Sequence, residues 1–324
     1  MSDSEVKSPV ADLPSASSPG GFLAFWGVRH SPFFGRADVP AAFLLENQRN
    51  VAARVLIAAQ DGAPVVTIGG PGGVGLTLLA KWLYEALPEA SHHAMLLAPG
   101  GPGTEPAALT TRIAAFGASR LGVAMATMCL TTESMRDQMI TIAPVLDVLR
   151  RGQKRLAIIF DNAGLLSGEP WASYILSVIR QGELIDGVLQ FFLFGHETEL
   201  QKITSSWPRA LDARTINIAL LAPSEADQRK WLEHRIILAG SDDASARKIF
   251  SNEAAKEAIS GSGNNLTKLG RIAEAAMIEA FMASSRQVES RHVAIALGHQ
   301  DRQEVSVSPL AVRGTGLLDL LKPI

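Results

Sequence analysis

The residues best suited to chemistry lie in IGGPGGVGLTLLAKWL, residues 68–83. Gly70, Gly73 and Gly75 stand at the first, fourth and sixth positions of the phosphate-loop pattern G-x-x-x-x-G-K-[ST], and Thr77 takes the [ST] place. Glycine suits such a loop because backbone N–H groups must converge on phosphate oxygens that side chains would block. The nucleotide-binding set read from this stretch is Gly70, Gly72, Gly73, Val74, Gly75, Leu76, Thr77 and Leu78, with the Thr77 hydroxyl on Mg²⁺. The pattern breaks at Leu76, where lysine is required. Leucine offers neither charge nor donor. A hydrogen bond to a charged group is worth about 1.5–3 kcal/mol, so phosphate binding should weaken roughly tenfold to a hundredfold. Phosphoryl transfer should suffer more, because the lysine also meets the charge that develops in the transition state. Lys81, five residues further along, is expected to be too distant to substitute. On the loop alone, a glycine-rich surface turn remains the alternative.

A second candidate is LAIIFDNAGLL, residues 156–166, an apolar run ending in Asp161 and Asn162. It has the shape of a Walker B strand. Asp161 would join Thr77 in the Mg²⁺ shell, and Asn162 holds the place of the glutamate that polarises the attacking water. Asparagine can hydrogen-bond that water but cannot take its proton. The alternative is a strand that ends in an ordinary Asp-Asn turn. Other reactive types carry less. Cys129 is the single cysteine and sits in the apolar run VAMATMCL, as a buried inert thiol would. His196 lacks a second histidine or carboxylate at ligand spacing, and Trp26, Trp82 and Trp231 read as packing aromatics.

These residues need elements to position them. Five short apolar runs without clean alternation, at 64–69, 94–99, 156–161, 188–195 and 215–220, predict strands covered on both faces of a parallel sheet. Helical patterns at 77–87, 105–116 and 135–152 lie between them, which is the order of an α/β domain with crossover helices. From 222 to 298 the pattern is helical throughout, opening with Pro223 and Ser224, and predicts a small all-α lid domain. Residues 1–20 are rich in Ser and Pro and read as a disordered leader, and 299–324 as a tail with one apolar patch, LLDLL.

The chain of 324 residues carries 30 basic and 32 acidic side chains, a net charge of −2 that gives no support for a nucleic-acid partner. No window of 18 uninterrupted apolar residues is present, so a cytoplasmic protein is expected.

Several motifs in order resemble the AAA+ ATPases of the ExeA type, the general secretion pathway protein A group. FLAFWGVRHSPF (22–33) is similar to that family's N-terminal signature through Phe25, Gly27, Pro32 and Phe33. Residues 43–79 resemble its helix and P-loop, FFLFGHETEL (191–200) its sensor-1 strand, 211–240 its fifth strand and following helix, and 260–277 its sensor-2 helix. The resemblance covers about residues 22–298. It implies a P-loop core over 21–221 with a five-stranded parallel sheet and helices on both faces, then the lid. It also implies ATP or ADP with Mg²⁺ as ligands, and Arg214 (or Arg209) as an arginine acting across a subunit interface. The departures fall in one direction. Leu76 replaces the Walker A lysine, Asn162 the Walker B glutamate and Asn265 the sensor-2 arginine, while His196 stands at the usual sensor-1 glutamine.

The expectation is therefore a nucleotide-binding AAA+ protein that has lost hydrolysis. It would act as a homo-oligomer, or beside an active homologue, in a secretion, polysaccharide-export or envelope system. An active ATPase completed by a partner subunit and a transposition-type ATPase are the alternatives. The catalytic candidates are Asp161, Asn162 and Arg214.

Overall fold

The computed structural model describes residues 19–33, 44–98, 105–124, 134–166, 169–183 and 187–306. Cys129, most of the leader and the LLDLL patch lie outside them. Two compact units form. One holds residues 35–231 together with 264–268, and the other holds the flanking stretches 1–34, 232–263 and 269–324.

The first unit is a five-stranded parallel sheet in the order β2-β3-β4-β1-β5, built from β1 (Val65–Gly70), β2 (His92–Leu97), β3 (Arg155–Asp161), β4 (Leu189–His196) and β5 (Thr215–Ala219). The central strands β1, β3 and β4 are apolar runs buried on both faces, whereas the edge strands depart from that expectation: β2 is mostly half-buried and β5 leaves Ile216 and Asn217 exposed. Val66, Ile68, Ala157, Ile159, Phe192 and Phe194 point into a core with α2 (Glu46–Gln60) and α3 (Leu76–Ala86). Val65, Ile158, Phe160, Phe191 and Leu193 point into the opposite core with α4 (Pro106–Arg120), α5 (Met135–Arg151) and α6 (Glu169–Glu183). Strand β2 starts at His92, ahead of the run at 94–99, because His92 is buried and pairs with Arg155 despite its polarity. Helix α5 continues through Pro144, and Ser134 caps its start by accepting from the Asp137 N–H at 3.1 Å. Two short helices, α7 (Glu197–Ser205) and α8 (Arg209–Asp212), link β4 to β5.

Later helices are α9 (Glu225–Leu238), α10 (Asp243–Ile249), α11 (Asn252–Ser262), α12 (Leu266–Met282) and α13 (Ser290–Ser306). Helix α13 thus runs beyond 298 into the segment read as tail. The N-terminal signature also departs from the sequence-based division. Residues 19–33, with α1 (Pro19–Trp26), group with the helical unit and not with the sheet. Phe25 packs edge-on against Phe281, and Arg286 lies over the Phe25 ring at 4.1 Å. The Arg235 Nε–H donates to the Pro32 carbonyl at 2.8 Å, and the Ser31 hydroxyl donates to half-buried Glu274 at 2.5 Å. The family-like FWG and PF residues are thus explained by packing inside this unit.

Candidate functional site at the β1–α3 loop

The site grows from the C-terminal ends of β1, β3 and β4. Register places Gly70 beside His196 and Asp161 beside Phe194, so the loop after β1 and the end of β3 flank one strand terminus. The glycines are needed for different reasons. Gly73 and Gly75 have φ of +76° and +99°, in the left-handed region that glycine alone enters freely. Gly70 has an ordinary φ, but a Cβ there would lie 2.7 Å from the Leu220 carbonyl oxygen, so closeness to the end of β5 excludes a side chain. A Cβ on Gly72 would meet nothing within 4 Å, so that glycine has no such constraint.

A residue that sequence reasoning passed over supports the loop from behind. Gln48 of α2 is 2% exposed. Its Nε2 donates to the Val74 carbonyl at 2.7 Å, and its Oε1 accepts from the Leu45 N–H at 2.9 Å. A side chain at Gly75 would collide with the same amide. Asn47 ties the helix start to the end of β5 by donating to the Leu221 carbonyl at 2.6 Å. The sequence carries no clear signal for Gln48, which lies in the wholly polar opening, 46–50, of α2.

The three departures each have a local physical setting. Leu76 opens α3 with its side chain packed against the α2–α3 core, an apolar contact at the position where the phosphate-loop pattern calls for lysine. Asn162 sits at φ 65°, ψ 49°, exposed, at the head of the short 3₁₀ turn Ala163–Leu165. Asparagine tolerates this left-handed geometry where glutamate is strained. Asn265 caps α12, its Oδ1 accepting from the Lys268 N–H at 2.9 Å, and its amide lies against Gly73. The next residue reaches the loop directly, with the Leu266 N–H donating to the Gly73 carbonyl at 3.0 Å. Asn264, also left-handed, accepts from the buried Gln228 amide at 2.9 Å.

Thr77 and Asp161 do meet. The threonine hydroxyl donates to the carboxylate at 3.0 Å. Burial pushes the Asp161 carboxyl above the usual range, opposed by the Thr77 hydroxyl, the charge of Lys81 and the Asn162 N–H. Two hard oxygen donors this close suit Mg²⁺, which prefers one or two protein oxygens and takes its other ligands from phosphate and water. Consistent with that sparse arrangement, no group of three His, Cys, Asp or Glu side chains that could hold a metal occurs among the described residues. The glycine geometry and the helix start also fit phosphate binding through the backbone. Val74 is buried, and Leu78 is half-buried in the first turn of α3.

Other candidates lie elsewhere. His196 is exposed at the end of β4, with its Nδ1 3.0 Å from the Thr198 hydroxyl. Arg214 is exposed just before β5. Thr215 pairs with Val65, at the opposite end of β1 from Gly70. At about 3.3 Å per residue, that puts Arg214, one residue before Thr215, some six residues, about 20 Å, from its own loop. Any action on phosphate would have to be on another molecule. Arg209 lines a separate open cavity with Trp207 and Asp212.

Solved structures with this architecture place it. The Aeropyrum pernix ORC2 protein, in its ADPNP–ADP complexes, superposes with a TM-score of 0.58 at 15% identity, covering 86% of this chain and 75% of that one. The fold is that of a P-loop AAA+ protein. Cdc6p from Pyrobaculum aerophilum (TM-score 0.59, 12% identity, 81% and 68% covered) and Drosophila ORC bound to DNA (0.58, 14%, 93% and 71%) are similar in the same way. No family model and no curated protein matches the sequence. Among the described residues, no helix is long and apolar enough to cross a membrane.

Proposed function

We propose that this protein binds ATP or ADP through the backbone of Gly70–Gly75 and the Thr77 hydroxyl, with Mg²⁺ between Thr77 and Asp161, and does not hydrolyse it at the rates of working AAA+ ATPases. One observation carries the reading. The loop has a phosphate-shaped backbone and a Thr77–Asp161 pair at 3.0 Å, while half-buried Leu76, where the pattern calls for lysine, packs against the core. The binding parts are mostly main chain and are retained, whereas the charged side chains expected at positions 76, 162 and 265 are replaced by Leu76, Asn162 and Asn265. Bound nucleotide would then act as a structural ligand that favours assembly with further copies or with an active homologue. A role in a secretion, polysaccharide-export or envelope system rests on the ExeA-type resemblance alone.

Calorimetric titration with ATP and ADP, with and without Mg²⁺, tests this. Saturable binding with turnover no higher than an Asp161→Ala control supports it, and hydrolysis at ordinary AAA+ rates by the isolated protein overturns it. The exposed position of Arg214, far from its own loop, favours one second reading, an ATPase completed by a neighbouring subunit. Turnover that climbs with protein concentration and disappears in Arg214→Ala would establish that instead. The net charge of −2 supports a partner other than nucleic acid, although the Drosophila relative was solved with DNA. DNA binding that weakens steeply with salt would reverse that part.

A further inference from the structure

A phosphate loop without lysine brings polyanionic ligand up to Asp161 with no cation at position 76, and the other two replaced positions, Asn162 and Asn265, are also uncharged. The carboxylate would then repel the ligand. The geometry of α3 supplies a remedy that the linear spacing hides. Thr77 and Lys81 are four residues apart and so share one face of the helix. Long side chains on a helix lean toward its N-terminus, the end of α3 at which Thr77 lies. The same turn holds Asp161, through the 3.0 Å bond from the Thr77 hydroxyl. Lys81 is half-buried on this face, and its charge favours the ionised form of Asp161.

We propose that Lys81 is the cation of this site, a positioning residue that offsets the charge of Asp161 and so lets phosphate enter a loop whose own lysine has been replaced. The proposal rests on the nucleotide-binding reading above. It is compatible with the expectation that Lys81 is too distant to substitute for a lysine at position 76. Its reach is to the carboxylate, and it supports binding without restoring hydrolysis.

The test is a coupling experiment on the full chain, in EDTA so that metal does not intervene. Equilibrium ADP binding is measured for the wild type, Lys81→Gln, Lys81→Arg, Asp161→Asn and the Lys81→Gln/Asp161→Asn pair. Removing one nearby cation should weaken ADP binding about tenfold, and Lys81→Arg should retain wild-type affinity. In the Asp161→Asn background the effect of Lys81→Gln should shrink to less than about threefold, because the charge it offsets is gone. A merely structural lysine would not show that dependence on Asp161. Should glutamine disturb α3, seen as a lowered melting temperature, Lys81→Met keeps the aliphatic stem and the same comparison. Wild-type binding with Lys81→Gln unchanged, or equally weakened in both backgrounds, overturns the Lys81 proposal alone. No ADP binding by the wild type overturns the nucleotide reading and this one with it.

Discussion

The β1–α3 loop and the two turns that face it, at Asn162 and at Asn264–Asn265, have diverged differently. The loop is specified by backbone. Gly73 and Gly75 hold left-handed φ values, Gly70 approaches Leu220 too closely for a side chain, and Gln48 fixes the Val74 carbonyl from inside the core. Changing any of these disturbs packing as well as function. The turns are specified by side chains on the surface or at a helix start, where asparagine is a favourable residue in its own right. A loop of the first kind would persist even where its chemistry lapsed, because the fold depends on it. Groups of the second kind can be exchanged for residues that suit the local backbone better.

This contrast can be broken most severely at the loop. Gly70→Val should lose nucleotide binding altogether and destabilise the sheet unit by about 1–3 kcal/mol as β1 and the end of β5 are forced apart, read by chemical denaturation beside ADP titration. Gln48→Leu should follow. It leaves the Val74 carbonyl and the Leu45 N–H without their partner at a cost of about 1–3 kcal/mol, and the weakened loop should bind ADP less tightly. A Gln48→Leu protein with unchanged stability would mean that the loop does not depend on α2.

The replaced side chains should respond more gently. Leu76→Lys should tighten ATP binding by about tenfold while turnover stays at the Asp161→Ala background, because Asn162 and Asn265 remain. Adding Asn162→Glu places a residue that disfavours left-handed φ at +65° and should cost about 1 kcal/mol, whereas Asn162→Gly should be neutral within a few tenths of a kcal/mol. The smallest effect concerns the helical unit. Burial, against the Ser31 hydroxyl, the Phe33 N–H and the Arg235 charge, raises the Glu274 carboxyl above its ordinary range. The folded protein therefore holds this proton more tightly than the unfolded chain does. Its contribution favours the fold at pH below the unfolded carboxyl range and is lost as pH rises through the folded value. Glu274→Gln should flatten that part of the pH–stability curve, measured by denaturation at pH 4 to 7.

The sheet was legible in the sequence because strands buried on both faces must be apolar throughout, and each predicted run fell on a strand. The start of β2 was not, since His92 and His93 look like loop residues until the pairing with Arg155 and Leu156 buries the first of them. The loop and Asp161 were readable from spacing alone. Gln48 was not, because a single amide in a helix gives no hint of which carbonyl it will meet 26 residues later. The proposed role of Lys81 depends on the face of α3 it shares with Thr77, which linear spacing alone does not bring out. The placement of residues 22–33 was hidden for a similar reason. Their aromatic residues announce burial, but the partner, Phe281, lies at the far end of the sequence.

The central claim is that binding has been kept and cleavage lost. Its most direct test is a single sample in which ATP occupancy is followed by titration and phosphate release is followed over the same hours, at rising protein concentration. The account predicts saturable occupancy with release indistinguishable from Asp161→Ala at every concentration. Release that turns over the bound ATP many times, at any concentration in that range, would contradict it.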